Sequence, residues 1–431
     1  MSEALPGAVA GVDLWRYRLP LDHPLRLAGH VLQHRTGLLL EWRREPNRGV
    51  WSEIAPLPGF SRESLETCIA ECRRFFASHD LHEATAAFHP TPVPNPRRAE
   101  KQSVIRHSPE APTTAANRRA EKRSVIRRST DACADSAPGA HISQRGQQTP
   151  ARQGPEAAQP THDPEDATSQ AAKATVIMEA IGERIPHDLS PAVRFGLESG
   201  LLQLTVPLPA APRPALCLLV TAEEPIDPAA LSDCSCVKLK VGQRDPAEDR
   251  QRLRQILDAM PPTARIRLDA NRAWSLEQAA AVCAGLDPER IEYVEEPLRP
   301  GRSYSGWHER IPIPFAWDET LREQSQPDLD TPGLRAVVLK PMLTGLYRTQ
   351  ALVRQAQVRG IRPVLSGAYE SNLSLDLYAQ LAALWSLEGP QGLDTLRPFS
   401  AVLLQPPRFL HRNRPLPVLS RDQLEHLGRL W

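Results

Sequence analysis

CVKLKVG at residues 236–242 is the first of five short segments that together decide the fold. The other four follow at intervals along the chain: RIRLDANRAW at 265–274, YVEEPL at 293–298, FAWDETL at 315–321 and VVLKPMLTG at 337–345. Each contains a run of apolar, strand-forming residues that ends near charged side chains. Helical patterns lie between the segments, and this alternation of strand and helix is typical of a parallel sheet.

The same pattern extends to seven predicted strands: Leu216–Thr221, Cys236–Val241, Ile266–Ala270, Ile291–Glu295, Phe315–Asp318, Ala336–Lys340 and Val364–Ser366. Seven units in succession suit a closed barrel better than a short doubly wound sheet. No GxGxxG or GxxxxGK[ST] motif is present, so neither a dinucleotide fold nor a P-loop is indicated. We therefore predict an α/β fold with a TIM-like barrel over residues 211–400.

The part of the chain before the barrel predicts a small α+β unit over residues 1–91 and 173–210. Its expected strands are Val12–Leu21, Leu38–Glu45 and Val50–Ala55. One helix is predicted to begin with Ser61 as its N-cap, and another to begin at Ser190-Pro191.

A long insertion interrupts this unit at residues 92–172. No aromatic residue lies between Phe88 and Phe195, and a near-duplication, RRAEKQSVIRHS at 97–108 and RRAEKRSVIRRS at 118–129, falls within it. A segment this poor in apolar residues cannot offset chain entropy, so we predict disorder. Its basic character leaves two interpretations open, a tether for an acidic partner or nucleic acid and a tolerated loop expansion, and we favour the second.

Composition excludes several classes of protein. The 52 Lys and Arg residues balance 51 Asp and Glu residues, which argues against a globally basic nucleic-acid binder. No apolar run is long enough for a transmembrane span, and no basic region precedes an apolar stretch at the N-terminus. The seven cysteines form no CxxC pair, so we expect reduced thiols and a cytoplasmic location.

Polar residues at the strand ends carry the chemistry. An acidic residue ends each of three neighbouring strands: Asp269, then Glu295 or Glu296, then Asp318 or Glu319. Successive strand ends surround the mouth of a barrel, so one carboxylate from each strand would converge on one point. Because unpaired buried carboxylates repel each other, a hard divalent cation with oxygen ligands, such as Mg²⁺, would resolve the conflict.

Lysines on either side of the acids complete the pattern. Lys238 and Lys240 share one face of their strand, and Lys340 ends a strand beyond the acidic ones. A lysine whose pKa falls near a cation can act as a base beside a metal that stabilises an enediolate. Each motif alone is more often a turn, a strand terminus or a solvated edge, but their order along the barrel favours a metal site.

The motifs KLK, LDANRAW, VEEP, WDE and VLKP, in this order, resemble the enolase superfamily. The stretches WSEIAPLPGFSRESLE, AWDETLRE, RAVVLKPMLTG and GLDTL are similar to the o-succinylbenzoate synthase family in particular. The likeness covers nearly the whole chain outside the insertion. It implies a modified (β/α)₇β barrel under an α+β capping domain that the C-terminal tail, residues 401–431, helps to build.

The resemblance also implies a hydro-lyase of menaquinone biosynthesis. This enzyme would carry out the syn-dehydration of 2-succinyl-6-hydroxy-2,4-cyclohexadiene-1-carboxylate to 2-succinylbenzoate, with Mg²⁺ or alternatively Mn²⁺. The metal ligands would be Asp269, Glu295 and Asp318. Lys240 would remove the proton α to the carboxylate, Lys340 would face it and stabilise the enediolate, and Lys238 would assist.

The predicted substrate contacts are Arg267, Asn271, Ser366, Gly367 and Ser371. For Ser371 a helix N-cap is an equal alternative, and the turn Pro58–Ser61 is a candidate lid. We expect a small carboxylate as the substrate, no membrane or nucleic-acid partner, and leave the oligomeric state open, a monomer included.

Two rival functions remain open from the sequence. A dipeptide epimerase or N-succinylamino acid racemase of the same superfamily would also use a lysine on each side of its substrate. A catalytically silent barrel whose insertion serves as an interaction arm is the rival of another class.

Overall fold

The computed structural model describes residues 9–44, 49–79, 164–210, 212–221, 226–408 and 415–431. All of them belong to one unit, which comprises residues 1–89 and 163–431. Most of the predicted insertion, including both RRAEK repeats, lies outside the described residues.

Four antiparallel strands form the sheet of the capping domain, hereafter the cap. They are β1 (Val9–Leu27), β2 (His30–Arg44), β3 (Val50–Ile54) and, from the C-terminal tail, β13 (Glu425–Arg429). Their order is β13–β1–β2–β3, so the tail strand pairs with the first strand of the chain. β1 and β2 run beyond the apolar segments predicted from the sequence, because backbone pairing continues through polar residues as far as Leu27 and His30.

Three helices pack on this sheet: α1 (Leu65–Ser78), α2 (Pro164–Arg184) and α3 (Pro191–Thr205). The predicted N-cap of α1 is wrong by one turn. Ser64 is the N-cap, because its side chain accepts a hydrogen bond from the backbone N–H of Thr67. The Ser61 hydroxyl instead accepts from the backbone N–H of Leu57 at 2.9 Å and closes the preceding turn.

The predicted disorder over residues 92–172 is also wrong at its C-terminal end, because α2 begins at Pro164. The apolar residues that hold α2 in place, Ala174, Met178 and Ile181, are all buried and lie at or after its midpoint, and Ile185 directly after the helix is buried too. The polar first turns resemble the insertion in composition, which is why the sequence pattern placed the boundary too late.

Seven parallel strands form the main sheet, in the unbroken order β4 to β10. Their bounds are β4 (Leu218–Val220), β5 (Cys236–Lys240), β6 (Arg265–Asp269), β7 (Ile291–Glu295), β8 (Phe315–Trp317), β9 (Leu334–Leu339) and β10 (Arg362–Leu365). Each coincides with a predicted strand to within two residues at either end. The strands are short and buried apart from their polar ends, as expected where helices cover a parallel sheet.

An eighth, very short strand closes the barrel. Gln391 bridges to Leu216 ahead of β4, and Gly392 bridges to Ser366 after β10, both in parallel. The backbone N–H of Cys217 donates to the carbonyl of Gln391 at 2.9 Å. The predicted modified (β/α)₇β barrel with its α+β cap is therefore confirmed.

The remaining helices connect these strands. They are α4 (Pro228–Leu231), α5 (Pro246–Ala259), α6 (Leu276–Cys283), α7 (Trp307–Arg310), α8 (Glu319–Glu323), α9 (Pro341–Thr344), α10 (Leu346–Val358) and α11 (Asn372–Leu384). In the tail, β11 (Val402–Leu403) pairs with β12 (Val418–Leu419), and a 3₁₀ helix covers Arg421–Gln423. None of the helices in the described ranges is both long and apolar enough to cross a bilayer.

A buried polar network, hereafter the seam cluster, joins the cap to the barrel. The Glu53 carboxylate on β3 accepts hydrogen bonds from the hydroxyls of Tyr17, Ser371 and Ser374 at 2.5–2.8 Å and from the backbone N–H of Ser371 at 3.0 Å. The guanidinium of Arg35 donates to the backbone carbonyls of Thr36, Ala55, Pro56 and Tyr369. These contacts fix the loop after β10 against the cap.

Candidate active site

The side chains at the carboxyl ends of the barrel strands face a cavity of about 800 Å³, counting the space at its open mouth. Polar residues from β5, β6, β7, β9 and β10 line it together with the eighth strand. The cap adds apolar residues at the mouth: Leu27, Leu57 and Phe60. The predicted lid segment Pro58–Ser61 thus contributes the Phe60 ring, although its backbone is a turn.

Lys238 lies between two of the predicted metal ligands. Its Nζ is 2.8 Å from Oδ2 of Asp269 and 2.6 Å from Oε2 of Glu295. Both carboxylates are buried, with 1% of each side chain exposed. Since β5, β6 and β7 are adjacent in the sheet, their last residues are brought side by side.

Lys240 lies nearer the mouth on the same strand face. Its Nζ donates to Oδ2 of Asp269 at 2.6 Å and to the amide oxygen of Asn271 at 2.8 Å. A quarter of this side chain is exposed, about twice as much as for Lys238, and it lines the cavity. The amine is therefore accessible to a bound molecule.

Lys340 enters the cavity from the opposite wall. It follows β9, which is four strands from β5 in a barrel of eight, and its Nζ is hydrogen-bonded to Oδ2 of Asp318. The other oxygen of Asp318, Oδ1, is buried and has no hydrogen-bond partner among the described residues. Arg322 lies 3.6 Å from it, too far for a hydrogen bond.

The buried charged groups of the cavity, hereafter the mouth cluster, are Lys238, Lys240, Lys340, Asp269, Glu295 and Asp318. Burial and the charge of Asp269 raise the pKa of Glu295 to about 8. Burial also opposes ionisation of Asp269, but the ammonium groups of Lys238 and Lys240 outweigh it and hold the pKa of Asp269 well below its usual range. Three buried carboxylates thus compete for the positive charge of the neighbouring lysines, and burial makes ionisation of Glu295 the least favourable of the three.

The lysines differ from the sequence-based expectation of a lowered pKa. Burial lowers the pKa of Lys238 and Lys340, but the facing carboxylates, Asp269 for Lys238 and Asp318 for Lys340, outweigh it and raise both pKa values. With the carboxylates paired to them, these amines are held as ammonium ions. A neutral amine requires another cation to take over the carboxylates.

Glu296, the neighbour of Glu295, makes outer contacts, as expected for an adjacent strand residue that faces the other way. Its carboxylate accepts from the backbone N–H groups of Asp318 and Thr320 at 2.9 and 2.7 Å and pairs with Arg272 at 3.2 Å. These bonds hold the start of the loop that carries Asp318.

No group of three histidine, cysteine or acidic side chains in the described ranges has the spacing of a preformed metal site. Instead, ammonium groups separate the carboxylates that were predicted as ligands. The donor set nevertheless suits a hard divalent cation, because it consists of oxygen atoms. One of them, Oδ1 of Asp318, has no hydrogen-bond partner among the described residues.

The predicted substrate contacts divide into two groups. Arg267, Asn271, Ser366 and Gly367 line the cavity, whereas Ser371 does not. Arg267 is buried, and its Nη2 has no hydrogen-bond partner among the described residues. The backbone N–H of Gly367 already donates to the carbonyl of Gly392 at 2.9 Å, which removes the expected backbone contact with substrate.

The prediction that Ser371 contacts substrate is corrected by its position. Its hydroxyl donates to Glu53 in the seam cluster and accepts from the backbone N–H of Leu373 as the N-cap of α11. The N-cap alternative describes it correctly.

The sequence reasoning missed the wall formed by the eighth strand. Gly392, Asp394 and Thr395 line the cavity, and the Thr395 hydroxyl is buried without a hydrogen-bond partner among the described residues. The GLDTL motif at 392–396 was the available signal. This motif supports the family resemblance, but too few of its residues are apolar to predict a strand.

Comparison with known proteins bears on both halves of the molecule. Residues 9–93 match the family described as MenC, N-terminal domain, and residues 223–409 match the family described as Enolase C-terminal domain-like. The o-succinylbenzoate synthase of Klebsiella pneumoniae (strain 342) is 34% identical over 256 residues, which cover 57% of this chain and 77% of the relative. The o-succinylbenzoate synthase of Yersinia pseudotuberculosis serotype O:1b (strain IP 31758) is 35% identical over 248 residues, which cover 56% of this chain and 74% of the relative.

Solved structures share the fold at lower identity. The o-succinylbenzoate synthase of Thermosynechococcus elongatus BP-1, complexed with Mg in its active site, has a TM-score of 0.55 at 22% identity and covers 95% of this chain and 96% of its own. The L-Ala-D/L-Glu epimerase of Bacillus subtilis has a TM-score of 0.57 at 15% identity, and the match covers 91% of this chain and 92% of the epimerase. By its relatives and its two matching domains, the chain belongs to the o-succinylbenzoate synthase family of the enolase superfamily and is an enzyme of the hydro-lyase class.

Proposed function

We propose that this enzyme converts 2-succinyl-6-hydroxy-2,4-cyclohexadiene-1-carboxylate to 2-succinylbenzoate and water, as a step of menaquinone biosynthesis. The observation that carries the proposal is the placement of Lys240 and Lys340 on opposite walls of one cavity, each hydrogen-bonded to a buried carboxylate. A flat ring bound between them would present one face to each amine. A single elimination on one face needs little more than this arrangement.

The residues that would hold a divalent cation are Asp269, Glu295 and Asp318. All three are buried oxygen donors on neighbouring strands, and burial together with the charges of the other two carboxylates raises the pKa of Glu295. We infer Mg²⁺ as the ion, with Mn²⁺ as a substitute, because hard cations prefer such ligands. When bound, the ion would stabilise the negative charge that develops on the ring carboxylate of the substrate.

Lys240 is the proposed base. Its neutral amine takes the proton from the carbon that bears the carboxylate, and the electron pair of that C–H bond passes into the carboxylate as an enediolate. The pair then returns to form the ring double bond while the neighbouring C–O bond breaks. The ammonium of Lys240 gives the proton to the departing hydroxyl on the same face, so water leaves and the lysine is regenerated.

The other polar residues position the reactants. The ammonium of Lys340 stabilises the enediolate from the opposite face, and Asn271 orients the amine of Lys240 through its amide oxygen. Arg267 offers its unpartnered Nη2 to a carboxylate of the substrate, with Ser366 as a neighbouring hydroxyl. Lys238 keeps Asp269 and Glu295 from repelling each other.

A turnover assay with the cyclohexadiene substrate, with and without EDTA, tests the proposal. We expect formation of 2-succinylbenzoate that EDTA abolishes and added Mg²⁺ restores. Exchange of the α-hydrogen of a succinylamino acid with solvent deuterium serves as the second arm. If that exchange is faster than dehydration, the chain is a racemase of the same superfamily instead, and turnover of neither substrate would indicate a silent barrel. The cytoplasmic location and the lack of a nucleic-acid partner stay predictions.

A further inference from the structure

A pair of cysteines lies below the mouth cluster, at the start of the first two strands of the barrel. Cys217 immediately precedes β4, and Cys236 is the first residue of β5. Since Leu218 pairs with Val237 in parallel register, the two cysteines are side by side one position earlier. Both are buried, and their sulfur atoms are 3.1 Å apart, a hydrogen-bonding contact between two free thiols.

The two thiols have different surroundings. Cys217 lines the active-site cavity, so a small molecule in the cavity can reach its sulfur, whereas Cys236 does not line it. Burial opposes ionisation of Cys217, but the hydrogen bond from Cys236 and the charge of Arg267 outweigh it and lower the pKa of Cys217. The same hydrogen bond and burial raise the pKa of Cys236. Cys217 is therefore the nucleophile of the pair, since the thiolate is the reactive form.

We infer that Cys217 and Cys236 are a reversible oxidation site at which a hydroperoxide produces a disulfide. The Cys217 thiolate attacks one oxygen of hydrogen peroxide, an S–O bond forms as the O–O bond breaks, and the hydroxide that leaves takes up a proton to become water. The Cys236 sulfur then displaces the oxygen of this sulfenic acid, and its thiol proton leaves with that oxygen as a second water. In sum, two thiols are oxidised, one peroxide is reduced, and one S–S bond forms.

The backbone is spaced for this bond, and closing it requires only a shift of about 1 Å between the two strands. Adjacent strands lie about 4.8 Å apart, and disulfides span Cα separations of about 4.4–6.8 Å. The sulfur atoms must approach from 3.1 Å to about 2.05 Å. The four other described cysteines are less suited, because burial raises the pKa of each of them: Cys68 and Cys72 on α1, Cys234 and Cys283.

Oxidation would also act on the mouth cluster, a consequence that rests on the proposed function. Lys238 and Lys240 lie two and four residues beyond Cys236 on the same short strand. A displacement near 1 Å at reacting groups can cost up to about 10²-fold in rate. We expect the disulfide to lower dehydration turnover about tenfold and a dithiol reductant to restore it.

The experiment treats the full chain with hydrogen peroxide and digests it with a protease that cuts before aspartate. Asp227 and Asp233 separate Cys217 from Cys236, so a disulfide holds two fragments together. Because Cys234 falls in the same fragment as Cys236, the digestion is repeated on Cys234→Ala. We expect linked fragments in the wild type and in Cys234→Ala, and we expect dithiothreitol to separate them. Cys236→Ala should show no link. Cys283→Ala leaves the pair intact and is the matched control, so its fragments should link as those of the wild type do.

Several outcomes overturn the inference. One such outcome is that the fragments stay unlinked under conditions that oxidise exposed thiols. Another is that the link seen in the wild type disappears in Cys234→Ala. A link that forms while turnover stays unchanged contradicts the proposed effect on the mouth cluster. The linkage is read by mass, so it remains informative even if the untreated enzyme shows no dehydration, a result that would count against the proposed function alone.

Discussion

The mouth cluster and the seam cluster are both buried and polar, yet they neutralise charge in opposite ways. In the mouth cluster, ammonium groups face carboxylates directly, one carboxylate oxygen has no hydrogen-bond partner among the described residues, and the pKa of Glu295 rises to about 8. In the seam cluster, neutral hydroxyls and backbone groups satisfy Glu53 and Arg35. The first arrangement is completed by a ligand; the second is complete in the folded chain.

This difference predicts that substitutions in the mouth cluster change rate and substitutions in the seam cluster change stability. In the mouth cluster the cost of burying charges offsets much of their mutual attraction, whereas in the seam cluster the full value of a hydrogen bond is lost when one partner is removed. The four predictions below test this division.

Replacement of the proposed base should give the largest effect. We expect Lys240→Ala to lower turnover by roughly 10²–10⁴-fold, the usual contribution of a general base, with a melting temperature near that of wild type. Steady-state kinetics and thermal denaturation measure the two quantities. Lys173→Ala, at an exposed position on α2, is the control. Turnover of Lys240→Ala within a few-fold of wild type would exclude it as the base.

Loss of the central acceptor of the seam cluster should destabilise the fold. Glu53→Ala leaves the buried donors of Tyr17, Ser371 and Ser374 without their acceptor, which we expect to cost roughly 3 kcal/mol in the free energy of unfolding. The folded fraction should retain turnover within tenfold of wild type. Urea denaturation and active-site titration separate these effects, and a rate loss without destabilisation would contradict the division.

Glu370 lies beside the seam cluster and predicts a pH dependence of stability. Its carboxylate is buried and accepts hydrogen bonds from the backbone N–H of Ala368 and the hydroxyl of Tyr378. Burial raises the pKa of Glu370 to about 7 in the folded chain, against about 4.3 when unfolded. The folded state binds the proton of the Glu370 carboxyl more tightly than the unfolded state does. The free energy of unfolding is therefore highest below the pKa of the unfolded chain and falls as the pH rises toward 7. Gln cannot ionise, so Glu370→Gln should gain up to about 3 kcal/mol relative to wild type between pH 4 and pH 8. Urea denaturation measures this gain. If the difference in urea midpoint between Glu370→Gln and the wild type does not change with pH, the prediction is wrong.

The smallest effect is expected at the wall that the eighth strand provides. Thr395 presents a buried hydroxyl without a hydrogen-bond partner among the described residues, and it lines the cavity. Thr395→Val keeps the shape but removes the hydroxyl, which should raise KM about fivefold, or about 1 kcal/mol, with kcat unchanged. Thr395→Ser should restore the wild-type KM. An unchanged KM in the valine variant would remove Thr395 from substrate binding.

The sequence predicted the barrel well because its signals are local. Each strand is a buried apolar run with a charged end, and the order of these ends along the chain is also their order around the mouth. This is why Lys238, Lys240, Asp269 and Glu295 could be expected to lie together. The boundaries that failed, at Ser61 and at Pro164, depend on which of several polar residues caps a turn and on tertiary packing of α2.

Contacts between distant segments could not be predicted from local pattern. Ser371 binds Glu53, 318 residues away, so nothing near it in sequence indicates a seam role rather than a substrate role. The strand around Gly392 has only two bridging residues and no strand-forming composition. The contact between Cys217 and Cys236 depends on the register of two neighbouring strands, which the positions of the apolar runs define only approximately.

The pairing of β13 with β1 has a consequence for how the protein is made. Arg16 and Glu425 in these strands are 409 residues apart, and the whole barrel lies between them. As the chain emerges from a ribosome, β1 therefore exposes an open edge throughout synthesis of the barrel, and such edges invite pairing with other nascent chains. Cells would benefit from shielding that edge until the tail arrives, and fragments that end before Glu425 should aggregate even though their barrel is complete.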